Sequence, residues 1–450
     1  MRSVLLCLAL VLAVAVAGCE RPFIDAPEAE LRVISPDLGI VFDAASVRLV
    51  VEAVLTRDVV GVTAGTVPLT RTAADRWEGT VPVAYGVNAI VLRASNARGV
   101  AATDTAYALV LRTGPLATGP RLPEARGGAT ATRLADGAVL VTGGAAAQGE
   151  AASDAAFLLR PGAAAFETLP ARLVAARSGH TATLLPDGTV LLAGGTRVEG
   201  SRSAGNLVET AELYTPGAGG GGFTALPVRG APIRHVLHAA LYYETGDLSV
   251  LYLVGGEGDI AYGTAPRYGV RDDARAFAIR GGSLDALAPG AAQGIGQSVD
   301  AAVGATALPA RFRTPRDTTR YVVAGGVPAN GGFAGAAYAL FTSPRGLLAG
   351  RAPAPRAART RHAGAVMADG FFALFGGRAD AGGAAATVLA DAEVYADEAR
   401  RYFRLTTVPL ERYGHGATFE SRGRILLVGG FMPDGRATNT TARFTFDLSR

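Results

Sequence analysis

Histidine and arginine are the residue types whose spacing in this sequence could support binding or catalysis. The two recur together as Arg-x-x-His, at Arg177–His180, Arg359–His362 and Arg412–His415. A metal site needs three or four donor atoms about 2.0–2.3 Å from one ion, whereas equivalent histidines of successive repeats surround an axis. We therefore predict no metal site. The histidines are expected to hydrogen-bond neighbouring repeats to one another; they are His180, His235, His238, His362 and His415.

Arginines near these histidines are the candidate ligand-binding residues. A guanidinium group pairs bidentately with a carboxylate, so a cluster of arginines would suit an acidic protein or an anionic glycan. The alternative is that each arginine only supports the fold, by pairing with a carboxylate or carbonyl of a neighbouring repeat. The candidates head successive first strands and are Arg126, Arg177, Arg234, Arg361 and Arg412.

Catalytic signatures are missing from the sequence. It contains no Walker-type phosphate loop, no HExxH and no Gly-x-Ser-x-Gly. Acidic residues that could lie near the axis have no characteristic spacing; they are Glu124, Glu209, Asp300, Glu393 and Glu411. We therefore predict no catalytic residue, no cofactor and no enzymatic activity.

The elements that position these residues form a repeat. Six times, an apolar quartet runs directly into a pair of glycines, with the pairs 51 to 70 residues apart. The glycine pairs are Gly143-Gly144, Gly194-Gly195, Gly255-Gly256, Gly325-Gly326, Gly376-Gly377 and Gly429-Gly430. An Asp-Gly turn precedes several quartets, and a strand with an aromatic residue follows. Because the quartets do not alternate in polarity, we expect strands that are buried on both faces.

Four strands, with a diglycine after the second, resemble the kelch repeat over about 121–450. The resemblance implies an all-β fold with a six-bladed kelch-type β-propeller over 114–450, whose closed ring leaves no exposed sheet edge. The sequence departs from the family in a degraded fourth repeat at 301–304 and in Ala129, where the first repeat should have histidine. The last repeat lacks a fourth strand, so we expect 113–122 to supply it.

Kelch propellers include galactose oxidase, whose copper site requires a tyrosine cross-linked to a cysteine. The sequence has no cysteine after Cys19, so that chemistry is absent here. The first strands and the loops after the diglycines share one face in kelch propellers. The loops are long in this sequence: 196–208, 257–275, 327–336, 378–390 and 431–439.

The N-terminus has the pattern of an export signal. Arg2 precedes an uncharged apolar run at Val4–Val16, which is too short to span a bilayer comfortably. Val16–Cys19 then resembles the bacterial lipobox, which implies a signal peptide at 1–18, lipidation of Cys19 and a tether at 19–30. The alternative is an ordinary signal peptide with a chance cysteine. Glu20 favours the outer membrane of the cell envelope if enterobacterial sorting rules apply.

Residues 31–113 show the period of two that is typical of half-buried strands, as at Val47–Leu55. The run Gly86–Ala94 resembles bacterial immunoglobulin-like (Ig-like) modules, which implies a small β-sandwich before the propeller. Trp77 is expected in its core.

The sequence therefore predicts a membrane-anchored binding or scaffold protein that presents a propeller face to a protein or glycan. The alternative is a carbohydrate-active enzyme of the sialic-acid-mutarotase kelch type. A net charge of +4 over 450 residues, with acids interleaved among the arginines, indicates no nucleic-acid partner.

Overall fold

The protein is described by a computed structural model over the residues 30–35, 40–54, 59–112, 114, 116–245, 248–260, 268–271, 273–280, 282–287, 306–311, 320–326, 337–343, 346–368, 370–379, 387–397, 399–405, 410–421 and 423–447. The predicted all-β class is confirmed: regular structure in these ranges is β-strand, apart from one 3-10 helix at Ala204–Asn206. No helix in the same ranges has the length and hydrophobicity needed to cross a bilayer. The predicted signal peptide, Cys19 and most of the tether lie outside them.

The chain forms two units. Unit 1 comprises the described residues within Met1–Asp37, Ser46–Pro82 and Ala89–Ala106, and unit 2 those within Leu38–Ala45, Val83–Asn88 and Tyr107–Arg450. The first nine strands are β1 (Glu30–Ser35), β2 (Ile40–Phe42), β3 (Ser46–Val54), β4 (Gly61–Ala64), β5 (Val67–Pro68), β6 (Thr70–Arg71), β7 (Arg76–Pro82), β8 (Gly86–Asn96) and β9 (Gly99–Leu111). They form two sheets, with the orders β1-β3-β7-β6 and β2-β9-β8-β4-β5.

Alternating burial along β3 and β8 gives unit 1 its core. Leu49 and Val51 of β3 are fully buried while Arg48 is exposed, and Leu92 of β8 is buried while Arg93 is exposed. This is the period of two seen in the sequence. Trp77 of β7 is 5% exposed and belongs to the core of the unit.

Unit 2 contains the remaining strands: β10 (Leu116–Thr118), β11 (Thr130–Arg133), β12 (Val139–Thr142), β13 (Ala156–Leu159), β14 (Glu167–Thr168), β15 (Thr181–Leu184), β16 (Val190–Ala193), β17 (Ala211–Thr215), β18 (Gly222–Leu226), β19 (Val228–Arg229), β20 (His235–Val236), β21 (Ala239–Thr245), β22 (Leu248–Val254), β23 (Glu257–Asp259), β24 (Tyr268–Val270), β25 (Ala274–Arg280), β26 (Ser283–Ala286), β27 (Thr306–Arg311), β28 (Arg320–Ala324), β29 (Ala337–Ser343), β30 (Gly346–Ala352), β31 (Ala363–Ala368), β32 (Phe371–Phe375), β33 (Arg378–Ala379), β34 (Thr387–Val388), β35 (Ala392–Ala396), β36 (Arg401–Leu405), β37 (Gly416–Ser421), β38 (Arg424–Val428) and β39 (Thr441–Thr445).

Six sheets in the described part of unit 2 each contain one quartet strand, and we number them repeat sheets 1 to 6. Their orders are β11-β12-β13-β14, β15-β16-β17-β18, β19-β26-β25-β22-β21, β27-β28-β29-β30, β31-β32-β35-β36 and β10-β39-β38-β37. Each quartet lies in the second strand of its sheet, counted from the first strand of its repeat. Two small sheets, β20-β23-β24 and β33-β34, accompany repeat sheets 3 and 5.

Hydrophobic cores lie between successive repeat sheets. Leu140 of repeat sheet 1 packs with Leu192 of repeat sheet 2, and Leu191 of repeat sheet 2 packs with Leu253 of repeat sheet 3. On the other face of repeat sheet 1, Val141 packs with Leu426 of repeat sheet 6. Each quartet therefore contributes to two cores, which is why its residues are apolar without alternation.

The segment before the first repeat completes the last repeat sheet. Strand β10 pairs antiparallel with β39, from Leu116 opposite Phe444 to Thr118 opposite Ala442. The segment expected to supply the missing fourth strand therefore does so. Further main-chain bonds join Leu122 N–H to Asn439 O at 2.9 Å, and Gly430 N–H to Arg126 O at 2.7 Å.

At the diglycines, the main chains of neighbouring repeat sheets approach closely. The N–H of Gly195 donates to His235 O of the next sheet at 2.8 Å. A Cβ on Gly194, whose φ is +66°, would lie 2.4 Å from the same carbonyl oxygen. A side chain is therefore excluded both by the backbone angle and by the approach of the next sheet.

Candidate functional site

Five residues with left-handed backbone are joined by four main-chain hydrogen bonds into an open chain around the axis of unit 2, and we call them the axial residues: Gly128, Gly179, Leu237, Arg361 and Gly414. The N–H of Gly179 donates to Gly128 O at 2.9 Å, and Leu237 N–H donates to Gly179 O at 2.8 Å. Gly414 N–H likewise donates to Arg361 O, and Gly128 N–H to Gly414 O, both at 2.7 Å. Residues with a side chain are uncommon at positive φ, so Leu237 (φ +55°) and Arg361 (φ +52°) are the exceptions among the axial residues.

Arg361 carries its guanidinium group to a buried carboxylate. Its Nη2 lies 2.5 Å from Oε1 of Glu199, and the two side chains are 9% and 2% exposed. Glu199 also accepts hydrogen bonds from Ser178 Oγ and, at 3.0 Å, from Gln148 Nε2. The Arg361 guanidinium carbon lies 5.2 Å from the ring centre of Tyr413, within cation–π range. We call these five residues the axial cluster.

A cavity of about 130 Å³ lies beside the axial residues and is lined by four histidines: His180, His238, His362 and His415. His180 Nε2 is 3.0 Å from Thr142 Oγ1 of the preceding repeat sheet. His238 Nε2 is 2.9 Å from Thr181 Oγ1 in the same way. These two histidines thus join neighbouring repeat sheets.

Burial dominates the acid–base properties of these histidines. It lowers the pKa of His238 to about 3, with a further contribution from Arg271. Burial and the charge of Arg359 lower the pKa of His362 to about 3. The pKa values of His180, His235 and His415 are also lowered well below the usual range, mainly by burial. All five are therefore neutral near pH 7, a state unsuited to anion binding.

The arginines of the Arg-x-x-His motif point into their own repeat sheets. Arg177 is fully buried, and its Nη1 donates to Gly194 O at 2.8 Å. Its Nη2 lies 2.5 Å from Oε1 of the fully buried Glu212. Arg359 repeats this geometry, with Nη1 donating to Gly376 O at 2.8 Å and Nη2 donating to Glu393 at 2.6 Å.

Arg412 and Arg126 occupy the same position in their repeats as Arg177, but neither has a buried glutamate partner among the described residues. Arg412 Nη1 donates to Gly429 O at 2.9 Å and Thr440 O at 3.1 Å, and burial lowers its pKa to about 10. Arg126 is 8% exposed and pairs with Glu124. Each of the four arginines therefore pairs within its own repeat, and not with a neighbouring one as the sequence-based alternative assumed.

Arg234 and Arg361 do not occupy this motif position. His235 takes the place of Arg177 in repeat sheet 3, with Nδ1 3.3 Å from Gly255 O. Arg234 is one residue earlier; its side chain is 32% exposed and pairs with Glu209 at 2.7 Å and Asp259 at 2.5 Å. Arg359 takes the place in repeat sheet 5, and Arg361 is an axial residue.

The prediction that these arginines bind a ligand is therefore corrected for Arg126, Arg177 and Arg412. The side chains of Arg126, Arg177 and Arg412 are largely buried and engaged within the fold, which leaves them unable to contact a ligand. Arg361 is as buried as Arg126 and is paired with Glu199, while the partly exposed Arg234 is paired with Asp259. The loop at 327–336 and the degraded repeat at 301–304 lie outside the described residues.

Glu199 and Glu212 were not among the candidate residues, and Glu393 was named only as an acidic residue that could lie near the axis, whereas it is fully buried beside Arg359. Glu212 and Glu393 occur in a shared Ala-Glu-x-Tyr pattern, at Ala211–Tyr214 and Ala392–Tyr395. That pattern occurs in the repeats where Arg177 and Arg359 have a buried glutamate partner, so it was a usable signal. Glu199 stands in a loop without a repeat equivalent, and no sequence pattern identifies it.

Comparison with known proteins supports the fold. No protein-family model matches the sequence, and no curated protein matches it either. The solved "Structure of YjhT" is similar over 73% of this chain and 99% of that chain, with 12% identity and a TM-score of 0.55. At this identity the likeness concerns the fold alone. The chain is thus an all-β protein that shares the β-propeller fold of YjhT, as the kelch-like repeats indicate.

Proposed function

We propose that this chain is a lipid-anchored binding protein of the cell envelope, whose six-bladed kelch-type propeller presents one face to a protein partner. The observation that carries the proposal is a loop surface whose parts are joined by main-chain hydrogen bonds. It consists of 145–153, 196–208 and 431–438, and we call it the loop platform. A surface ordered before binding loses little conformational entropy when a partner arrives.

The main chains of three repeats are connected within the loop platform. Gln148 N–H donates to Gly435 O at 3.0 Å, which connects the loops of repeat sheets 1 and 6. Gly149 N–H donates to Glu199 O at 3.0 Å, and Glu199 N–H donates to Glu150 O at 2.9 Å. These bonds connect the loops of repeat sheets 1 and 2. Two members of the axial cluster, Gln148 and Glu199, belong to the loop platform, and Arg361 and Ser178 bind Glu199 from outside the platform.

The exposed side chains of the loop platform favour a protein partner. Met432 is 37% exposed, and the side chain of Arg202 is 80% exposed. Arg197, Arg436 and Glu150 are also exposed. Methionine and arginine are enriched in protein interfaces relative to other surfaces, and the mixed charge does not favour a purely anionic ligand.

The binding proposal is tested by affinity capture from envelope extracts, with the chain lacking residues 1–19 as bait. Met432→Asp is expected to reduce capture of the specific partner at least about tenfold, because it places a charge in the apolar part of the interface. Leu184→Asp is the matched control. Leu184 is 38% exposed and lies at the end of β15 that is farther from the loop platform. Equal capture by both variants would refute the loop platform as the binding face.

Parallel assays test two other activities, glycan binding and sialic acid mutarotation. A glycan array probed with the same bait would reveal a glycan partner in place of a protein. The sialic-acid-mutarotase alternative is tested by following the exchange of N-acetylneuraminic acid anomers by NMR. Exchange faster than in buffer would replace binding by catalysis as the function.

The membrane anchor is proposed from the sequence around Cys19. Lipidation there would hold the protein at the membrane, since each buried methylene contributes about 0.8 kcal/mol and more than one acyl chain gives stable attachment. Labelling cells with an alkynyl fatty acid is expected to mark the wild-type chain and not Cys19→Ser. The variant is also expected to leave the membrane fraction; a labelled Cys19→Ser chain would disprove the anchor.

A further inference from the structure

A groove of about 460 Å³ lies between repeat sheets 1 and 6, at the strand ends away from the loop platform. This volume is within the range of about 300–1,000 Å³ that small-molecule sites occupy. One wall comes from the β11–β12 turn and the segment after β13, and the other from the β37–β38 turn and β39. The groove thus stands where the first and last repeats meet.

Arginines outnumber carboxylates in the lining of this groove. It contains Arg133, Arg160, Arg424, Arg443, Asp136 and Glu420. Both carboxylates already accept hydrogen bonds from the protein. Asp136 accepts Ala138 N–H at 2.9 Å, and Glu420 accepts Arg443 Nε at 2.9 Å and Nη2 at 2.5 Å. Arg160 pairs at 2.7 Å with Glu167, which lies outside the lining. Four guanidinium groups therefore face three carboxylates, and the positive charge of the groove is only partly compensated.

Guanidinium N–H groups remain available in this groove. Arg133 Nε donates to Glu420 O at 3.2 Å, while its terminal nitrogens have no acceptor among the described residues. Its guanidinium carbon lies 5.7 Å from the ring centre of Phe419, which helps to hold it in place. The closest carboxylate oxygen to Arg424 is 3.8 Å from its Nε, beyond hydrogen-bond distance. Arg133 can therefore bind an oxyanion without breaking an existing pair, and Arg424 gives up only the distant ion pair with Glu420.

Apolar residues also line this groove, and all of them come from repeat sheet 1 and the segment after β13: Val139, Leu159, Pro161, Ala163 and Ala164. A ligand that matches both the arginines and these apolar residues has a carbon–hydrogen surface and an anionic group. We propose that this groove binds a small sugar acid, with Arg133 and Arg424 holding its carboxylate. The site is separate from the loop platform, so its failure leaves the proposed function intact.

The experiment is isothermal titration calorimetry of the full mature chain with glucuronate, glucose and inorganic phosphate. We expect saturable binding of glucuronate that weakens as salt is added, and none of glucose. Binding of phosphate as tight as that of glucuronate would retain an oxyanion site and remove the sugar from the proposal. No saturable binding of either anion, or equal binding of glucose and glucuronate, would overturn it.

Two variants and one control locate the site. Arg133→Gln and Arg424→Gln are each expected to weaken glucuronate binding about tenfold or more, which corresponds to about 1.4 kcal/mol. Arg172→Gln is the control, because its side chain is 57% exposed against 44% for Arg424 and it is absent from the groove. Thermal melting of each variant verifies the fold. An equal effect of Arg172→Gln would show that the anion binds by general charge attraction, and the proposal would fall.

Discussion

Arg361 and Glu199 form an ion pair across the axis of unit 2, with Arg361 Nη2 2.5 Å from Glu199 Oε1. They come from repeat sheets 5 and 2, which are not neighbours in the ring. Because Gln148 and Ser178 also donate to Glu199, this single carboxylate connects repeat sheets 1, 2 and 5. The pair therefore holds the loop platform to the axial residues.

Glu199→Gln is expected to lower the free energy of unfolding by about 3 kcal/mol, because it leaves the Arg361 charge buried without its partner. Urea unfolding followed by circular dichroism measures the change. Glu150→Gln is the control, since Glu150 is exposed in the same platform. In the double variant with Arg361→Gln, part of the loss should be recovered. A loss no larger than that of the control would contradict the role given to the pair.

The buried arginines are expected to differ in their effect on stability. Arg177→Ala leaves the fully buried Glu212 without its cation and should cost about 3–5 kcal/mol. Arg412→Ala removes bonds to two carbonyl groups only and should cost about 1–3 kcal/mol. Chemical unfolding of both variants measures the two losses. Equal losses would show that Glu212 does not set the difference.

Acid is expected to destabilise the fold through the histidines. Burial lowers the pKa of folded His238 to about 3, whereas its unfolded value is about 6.5. Between these values only the unfolded chain takes up the proton, so the free energy of unfolding falls as the pH falls from about 6.5 to 3. The slope from one such histidine is about 1.4 kcal/mol per pH unit. Above pH 6.5 the contribution does not change.

His238→Gln tests this pH dependence by removing one titrating group. The slope of unfolding free energy against pH, measured by urea titration between pH 6.5 and 4, should decrease by about 1.4 kcal/mol per unit. Glutamine retains a group that can bond Thr181, the threonine that contacts His238 in the folded state. An unchanged slope would mean that His238 titrates alike in the folded and unfolded chains.

Ring closure is expected to depend on Gly119. A Cβ there would lie 2.3 Å from Thr441 Oγ1, and that hydroxyl donates to Pro120 O at 2.7 Å. Gly119→Ala should therefore lower stability by about 1–3 kcal/mol through overpacking, with a lower melting temperature in calorimetry. Gly205→Ala is the matched control, because its Cβ would meet only Ser203 Oγ at 3.7 Å. Equal melting temperatures for the two variants would argue against a tight closure.

Much of the fold follows from local patterns in the sequence. The quartets are strands, and the segment before the first repeat completes the last repeat sheet, as β10 beside β39 shows. Strand period, Asp-Gly turns and the diglycines depend on residues close together in the chain, so they are readable without coordinates. The same repeats made an all-β fold predictable.

The tertiary structure alone decided where the charged side chains point. Arg177 and Arg361 looked equivalent in sequence, yet one is buried beside Glu212 and the other reaches Glu199, 162 residues away. In the groove, the hydrogen bond from Arg133 Nε to Glu420 O likewise joins two residues that are 287 positions apart in the chain. Such pairings depend on the rotation that relates the repeat sheets and on loop paths without a period. The spacing of residues within one repeat predicts neither the rotation nor the loop paths, because both depend on how the repeats are arranged in the ring.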